Sequence, residues 1–294
     1  MTLKNITSGF RPIAAAIVVA ALSLQLRATA QEINFHNEAN DTVRITELLN
    51  IANNIDDPNA RVAAIAREFV GTPYVGGTLD GDAEKEVLVV NLDELDCTTL
   101  IDNVMAICIT AGEGRRSWRD FVYNLQSLRY REGEINGYAS RLHYISDWVV
   151  DNVHRGNFEE VTNRYVDARS DVKTLDFMTQ NRDLYPALSN DSIYNKLKEY
   201  EFGYRRHSFP IIRSKSLSKA SKGFLKDGDI IALTTSKKNL DVSHMAILVF
   251  DKGECRLLHA SSKEGKVVIS TETLAEYFRR NHSLTGIRVF RLKD

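Results

Sequence analysis

Two apolar runs, His244-Met245-Ala246-Ile247-Leu248-Val249-Phe250 and Cys255-Arg256-Leu257-Leu258-His259-Ala260, stand on either side of Asp251-Lys252-Gly253-Glu254. Apolar runs flanking a short polar segment with a glycine are the signal of a β-hairpin. A two-residue loop at Lys252-Gly253 pairs Asp251 with Glu254. Counting outward then brings His259 opposite Ala246, with His244 two residues along on the same face. Diagonal neighbours on one face lie within about 7–8 Å, near enough for one imidazole to orient another. A three-residue loop puts the two histidines on opposite faces instead, and the sequence leaves that parity open.

The hairpin belongs to a larger set of strands, expected over 230–233, 266–270 and 286–292, with a helix over 271–280 between the last two. Consecutive strands with short links make an antiparallel sheet. The first half reads differently, with helices over 42–53 and 59–69, a glycine-rich loop through Gly81 and a short strand over 87–91. Further helices are expected from Ser117 to about Tyr130, over 145–153 with Gly156 as the stop, and over 190–206. Helices first and an antiparallel sheet late define an α+β fold.

One of the early helices carries a thiol at its head. After Cys97, the apolar Leu100, Ile101, Val104, Met105 and Cys108 recur at helical spacing, so Cys97 heads a core-facing stripe. Asp93 and Asp96 are candidate caps and Gly112 reads as the stop. At that position free backbone N–H groups and the positive end of the helix dipole favour the thiolate. A small buried residue in a first turn is the plainer alternative. One cysteine and two histidines match the roles of nucleophile, base and base-orienting group. A zinc site built from the same three has tolerable ligand types. The sequence, however, lacks the short Cys-x-x-Cys or His-x-x-x-His spacing of such sites, so we expect no metal and no cofactor.

These residues carry a resemblance. Gly71-Thr72-Pro73-Tyr74-Val75-Gly76-Gly77, Asp96-Cys97, Asp227-Gly228-Asp229-Ile230-Ile231, Ser243-His244-Met245-Ala246-Ile247 and Leu258-His259-Ala260 resemble the ordered motifs of the NlpC-type cysteine peptidases, papain-like bacterial cell-wall hydrolases. Within that superfamily the chain is most similar to the N-acetylmuramoyl-L-alanine amidase-like branch, whose members read Asp-Cys-Thr-Thr or Asp-Cys-Thr-Val in place of Asp-Cys-Ser-Gly. Thr98 and Thr99 show that pattern. The likeness runs from about Ala60 to the C-terminus.

The resemblance implies a papain-like core, with the nucleophile helix packed on an antiparallel sheet. It makes Cys97 the nucleophile, His244 the general base and His259 the orienting residue. Tyr74 lies beside the thiol in the family, where its hydroxyl contacts substrate or the oxyanion, and the Cys97 N–H is the first oxyanion donor. Asp96 has two readings, a substrate or backbone contact and a helix cap. Ser243 reads as a backbone-bonding neighbour of the base. The activity implied is cleavage of the amide between the N-acetylmuramic acid lactyl group and L-alanine in muropeptides. Two alternatives stand beside it: the usual NlpC cut between γ-D-glutamate and diaminopimelate, and a wall-binding module with a dead site.

The segment between nucleophile and base, about 118–209, is too long for a loop and reads as a helical insertion that ordinary NlpC domains lack. In it Arg141, His143, Tyr144 and Trp148 offer groups suited to a sugar face and a peptide carboxylate. Tyr144 and Trp148, four apart, also read as a core pair of one helix. Arg205-Arg206-His207 reads as a solvated helix end.

Residues 1–30 carry Lys4 and Arg11, an apolar stretch over 13–26 and Ala28-Thr29-Ala30, the pattern of a cleaved signal peptide. The stretch falls short of the ~20 residues of a spanning helix, so no stable membrane insertion is expected after cleavage. The reading is a periplasmic or secreted bacterial protein with one domain over 31–294. A formal net charge of −1, made more acidic by loss of Lys4, Arg11 and Arg27, gives no sign of a nucleic-acid partner. Peptidoglycan fragments are the expected partners. Cys97 and Cys108, eleven residues apart on one helix, stand about 16 Å apart, beyond the ~7 Å limit of a disulfide. Cys108 with Cys255 remains open.

Overall fold

The computed structural model describes residues 32–81 and 85–293. The expected signal peptide, residues 1–30, lies outside the described residues. In chain order the elements are β1 (Ile33–Phe35), α1 (Glu38–Ala52), α2 (Pro58–Arg67), β2 (Leu88–Val90), α3 (Cys97–Gly112), α4 (Trp118–Arg129), α5 (Ile145–Arg155), β3 (Glu159–Glu160), β4 (Arg169–Lys173), α6 (Phe177–Gln180), α7 (Asp191–Gly203), β5 (His207–Arg213), α8 (Leu217–Ala220), β6 (Ile230–Thr235), β7 (Val242–Asp251), β8 (Glu254–Ser261), β9 (Lys266–Thr273), α9 (Leu274–Arg280) and β10 (Leu284–Arg291).

An eight-stranded antiparallel sheet runs β4-β5-β10-β6-β7-β8-β9, with β3 added on β10, and β1 and β2 form a small parallel pair. The fold is α+β, as expected. Side chains alternate across the central strands. Met245, Ile247 and Val249 of β7 join the core built with α1 to α5, whereas Ala246 and Leu248 join a second core with α8 and α9. Cys108 belongs to the first core and Cys255 to the second, so the sheet separates them and all three cysteines are free.

The segment 118–209 is not purely helical. It supplies β3, β4 and the start of β5, which widen the sheet beyond β10. Its helices and turns hold a third core of Tyr138, Tyr144, Leu175, Met178, Leu188 and Leu197. Helix α7 ends at Gly203, so Arg205 and Arg206 lie in an exposed link and His207 begins β5. Among the described residues no helix is long and apolar enough to cross a membrane.

The Asp227-Gly228-Asp229 motif is scaffolding. Asp229 is buried and paired to Arg291 (2.7 and 2.9 Å), and Asn59 Nδ2 donates to Asp229 Oδ1 at 2.9 Å and to the Asp227 carbonyl at 3.1 Å. Gly228 sits at φ +80°, and a Cβ there would lie 1.9 Å from the Asn59 carbonyl oxygen. Gly228→Ala therefore carries about 1–2 kcal/mol for left-handed backbone and about 1–3 kcal/mol for overpacking. We expect urea denaturation to show a loss of about 2–5 kcal/mol; unchanged stability would mean the α2 end yields freely.

Candidate active site

The head of α3 explains the Asp-Cys-Thr-Thr pattern. The Asp96 side chain accepts the N–H groups of Thr98 (2.9 Å) and Thr99 (2.8 Å), and the Thr99 hydroxyl accepts the Asp96 N–H at 2.8 Å. This is a reciprocal capping box, so Asp96 is the helix cap. Cys97 follows as the first helical residue, partly exposed, with its sulfur 3.9 Å from the Thr98 hydroxyl.

How this helix meets the histidines follows from the end of the β7–β8 ladder. The turn is the two-residue one, with Lys252 at φ +50° and Gly253 at φ +83°. Pairing runs from Asp251↔Glu254 to Ile247↔Leu258 and stops one residue short of Ala246 and His259. Backbone bonds of Leu248 point toward β6, so by alternation the Met245 N–H faces the β8 side, where its ladder has ended. There it lies near enough to the Cys97 sulfur to favour the thiolate form. The thiol therefore abuts the residue that follows His244.

His244 Nε2 and His259 Nδ1 are 2.7 Å apart, with the rings nearly perpendicular. Because Nε2 of His244 is engaged, Nδ1 is the nitrogen left to act on a proton. It carries a lone pair when His244 donates and His259 accepts. Tyr277 of α9 stands edge-on to His259, with centroids 5.7 Å apart. Tyr74 comes from a strap stitched between β9 and Leu95: its N–H donates to the Gly265 carbonyl (2.9 Å), and the Leu95 N–H donates to the Pro73 carbonyl (3.0 Å). Burial, together with the nearby Cys97 and Asp96, raises its phenol, so its hydroxyl remains a donor. Ser243 is exposed.

The expectation that the helix entrance holds a thiolate is not met. Burial, and then the Asp96 carboxylate, push the Cys97 thiol up to about 11, against the opposing Met245 N–H and Thr98 hydroxyl. Burial brings His244 down to about 3, with His259 adding to the shift, and His259 down to about 4. The resting pair is neutral thiol and neutral imidazole. A group with a lowered pKa keeps its lone pair until the pH falls through that lowered value. The acid limb of kcat/KM should thus lie well below the 6.5 of an ordinary histidine, with no gain from thiol ionisation until strongly alkaline pH. A pH profile with an acid limb at 6.5 or above would contradict this.

Beside Asp96 and Thr98 opens a cavity of about 240 Å³, walled by the glycine-rich loop (Gly77, Asp80), the segment 118–209 and Leu240. Larger grooves of about 510, 590 and 760 Å³ lie elsewhere; neither they nor the small cavity are lined by Cys97, His244 or His259, and the small cavity adjoins the thiol through Asp96 and Thr98 on either side of it. Arg141, His143 and Tyr144 all line the small cavity, but their polar groups are already engaged. Arg141 donates to the Leu79 carbonyl (2.9 Å) and Asp80 (2.8 Å) and lies 3.4 Å from buried Glu86. The His143 ring lies against Tyr138 with Nε2 3.0 Å from the Tyr138 carbonyl, and burial lowers it to about 3. The Tyr144 hydroxyl donates to Glu201 (2.7 Å) and accepts the Met178 N–H (2.8 Å). Trp148 stacks on Phe158 in the core.

Sequence reasoning missed the buried Asp102–Arg129 pair (2.8 Å) at the cavity floor and the walls from Phe177, Met178, Tyr185 and Leu240. Asp102 lies on the α3 stripe of buried residues, and its charge among them was the available signal. Among the described residues, no group of three or more His, Cys, Asp and Glu side chains is placed to hold a metal ion.

An N-acetylmuramoyl-L-alanine amidase of Bacteroides uniformis shares 36% identity over 81% of this chain and 99% of its own, with a TM-score of 0.77. A Bacteroides fragilis structure, described as a candidate xylanase, shares 41% identity over 77% of this chain and 99% of its own, with a TM-score of 0.73. A Legionella pneumophila protein at 21% identity, covering 87% of this chain and 96% of its own with a TM-score of 0.67, shares the fold. No curated protein matches the chain. The model of the family described as N-acetylmuramoyl-L-alanine amidase-like matches residues 64–287, and the chain belongs to that family.

Proposed function

We propose that this protein is a cysteine-dependent peptidoglycan amidase with a papain-like NlpC-type core, which cuts the amide between the N-acetylmuramic acid lactyl group and L-alanine. The observation that carries the mechanism is the His244–His259 contact of 2.7 Å, next to Met245, whose N–H lies near the Cys97 sulfur. His244 Nδ1 takes the thiol proton as the sulfur attacks the lactyl carbonyl. The Cys97 N–H, at a helix start, and the Tyr74 hydroxyl face the developing oxyanion. His244 returns the proton to the L-alanine amine as the C–N bond breaks. Water, deprotonated by His244, then cleaves the thioester.

The family supports the peptidoglycan amidase reading. A glycosidase needs a free carboxylate pair across the scissile bond. Here Asp96 is tied into the cap and Asp102 to Arg129, so the acids nearest Cys97 do not favour it. We also propose that residues 1–30 direct export to the periplasm or medium, leaving one amidase domain over 31–294.

Mass spectrometry of products from defined muropeptides tests the reading. Free sugar with an intact stem peptide is the expected result. Two peptide pieces would mean the γ-D-glutamyl-diaminopimelate cut, and retained binding without cleavage would mean a binding module.

A further inference from the structure

The loop between β6 and β7, residues 236–241, supplies Leu240 to the cavity wall and leads directly into His244. It is held by the segment 118–209. Lys173, the last residue of β4, directs Nζ at the carbonyls of Thr235, Lys237 (2.9 Å) and Leu240 (2.7 Å). An ammonium has three donors, and all three are used on this one loop. Other contacts converge there: Lys237 lies 4.0 Å from the ring centre of Phe177, another cavity residue, buried Asp241 accepts the Ser146 N–H at 2.6 Å, and the Ser236 N–H donates to the Ser283 carbonyl at 2.7 Å. Among the described residues, only Lys173 gathers carbonyls from both ends of the loop, so it sets the loop's path.

We propose that the cavity beside Asp96 and Thr98 receives the substrate, and that Lys173 is a positioning residue that fixes the β6–β7 loop as its wall and so determines substrate affinity. This rests on the amidase reading for its kinetic consequence, though not for the latch itself. Without the ammonium, three carbonyls turned toward one point lose their donor and the loop relaxes, carrying Leu240 out of place. Chemistry at Cys97 is affected less, because β7 remains paired to β6 up to Leu233↔His244.

The test is Lys173→Met, which keeps the apolar stem. Expected results are a rise in KM for the muropeptide of roughly tenfold with kcat within about threefold, the signature of lost ground-state binding. Labelling of Cys97 by iodoacetamide should be unchanged, and amide hydrogen exchange in 236–241 should be faster. In Lys173→Ala, added ethylamine should lower KM again. An unchanged exchange rate in 236–241 would overturn the latch. An unchanged KM, or a fall in activity that only tracks a lower Tm and is not rescued by amine, would overturn the role in substrate affinity. Wild-type protein that leaves muropeptides uncut would overturn the amidase reading instead, and the exchange measurement would still decide the latch.

Discussion

Replacing Cys97 with alanine should abolish turnover, by roughly 10⁴-fold or more in kcat, while leaving the fold in place. The structural half of this expectation comes from the cap. The bonds that start α3 run between Asp96 and the backbone and hydroxyl groups of Thr98 and Thr99, and none uses the sulfur. Alanine is also the strongest helix former, so the first turn should hold. The chemical half comes from exposure. Cys97 is partly exposed, whereas Cys108 and Cys255 are buried in separate cores, and burial raises both of their thiols. Iodoacetamide should therefore label Cys97 first and inactivate in step with that label. Circular dichroism and Tm check the fold. A folded alanine variant with near-normal activity would end the cysteine mechanism.

The parts legible in the sequence were those set by local chemistry. The hairpin was legible in the two apolar runs and Gly253, but the loop length was not: Lys252 takes left-handed backbone that a lysine does not announce, and the register that follows brings His244 and His259 together. Asp96 before Cys97 marks the start of α3 because caps leave short-range signals, whereas Gly112, expected as the stop, is its last helical residue, with the cap at Glu113 and left-handed backbone at Gly114. What failed depended on distant partners. Strand β4 is polar and mostly exposed along Arg169-Ser170-Asp171-Val172-Lys173, β3 has two residues, and β5 contains Pro210, which argues against a strand. β3 and β5 pair with β10, far along the chain, and β4 pairs with β5, and these pairings make them strands nonetheless.

Electrostatics failed for the same reason. The helix start suggested a thiolate, but the depth of burial that reverses this is a property of the packed chain. Arg141 showed a guanidinium suited to a carboxylate, and the fold had already supplied Glu86 and Asp80. A residue type announces what it can bind. Only the tertiary structure decides whether it is still free.

The two histidines should respond unequally to substitution, and the 2.7 Å bond between them says how. In the proposed mechanism His244→Ala removes the proton carrier and should cost about as much as loss of Cys97, roughly 10⁴-fold or more. His259, in the same proposal, does not carry the proton but accepts from His244 Nε2 and so keeps the lone pair on His244 Nδ1. Glutamine can accept in its place, so His259→Gln should lose only about 10–100-fold. His259→Leu cannot accept, leaving His244 free to adopt the tautomer with Nδ1 protonated. That error in tautomer should cost about 10³–10⁴-fold. The informative quantity is therefore the gap between glutamine and leucine, which a merely space-filling role for His259 would not produce. Steady-state kinetics on one muropeptide measure it, with Tm as the control for folding. Equal losses in the two variants would remove the orienting role, and an inactive His259→Gln beside an active His244→Ala would reverse the assignment of base and orienter.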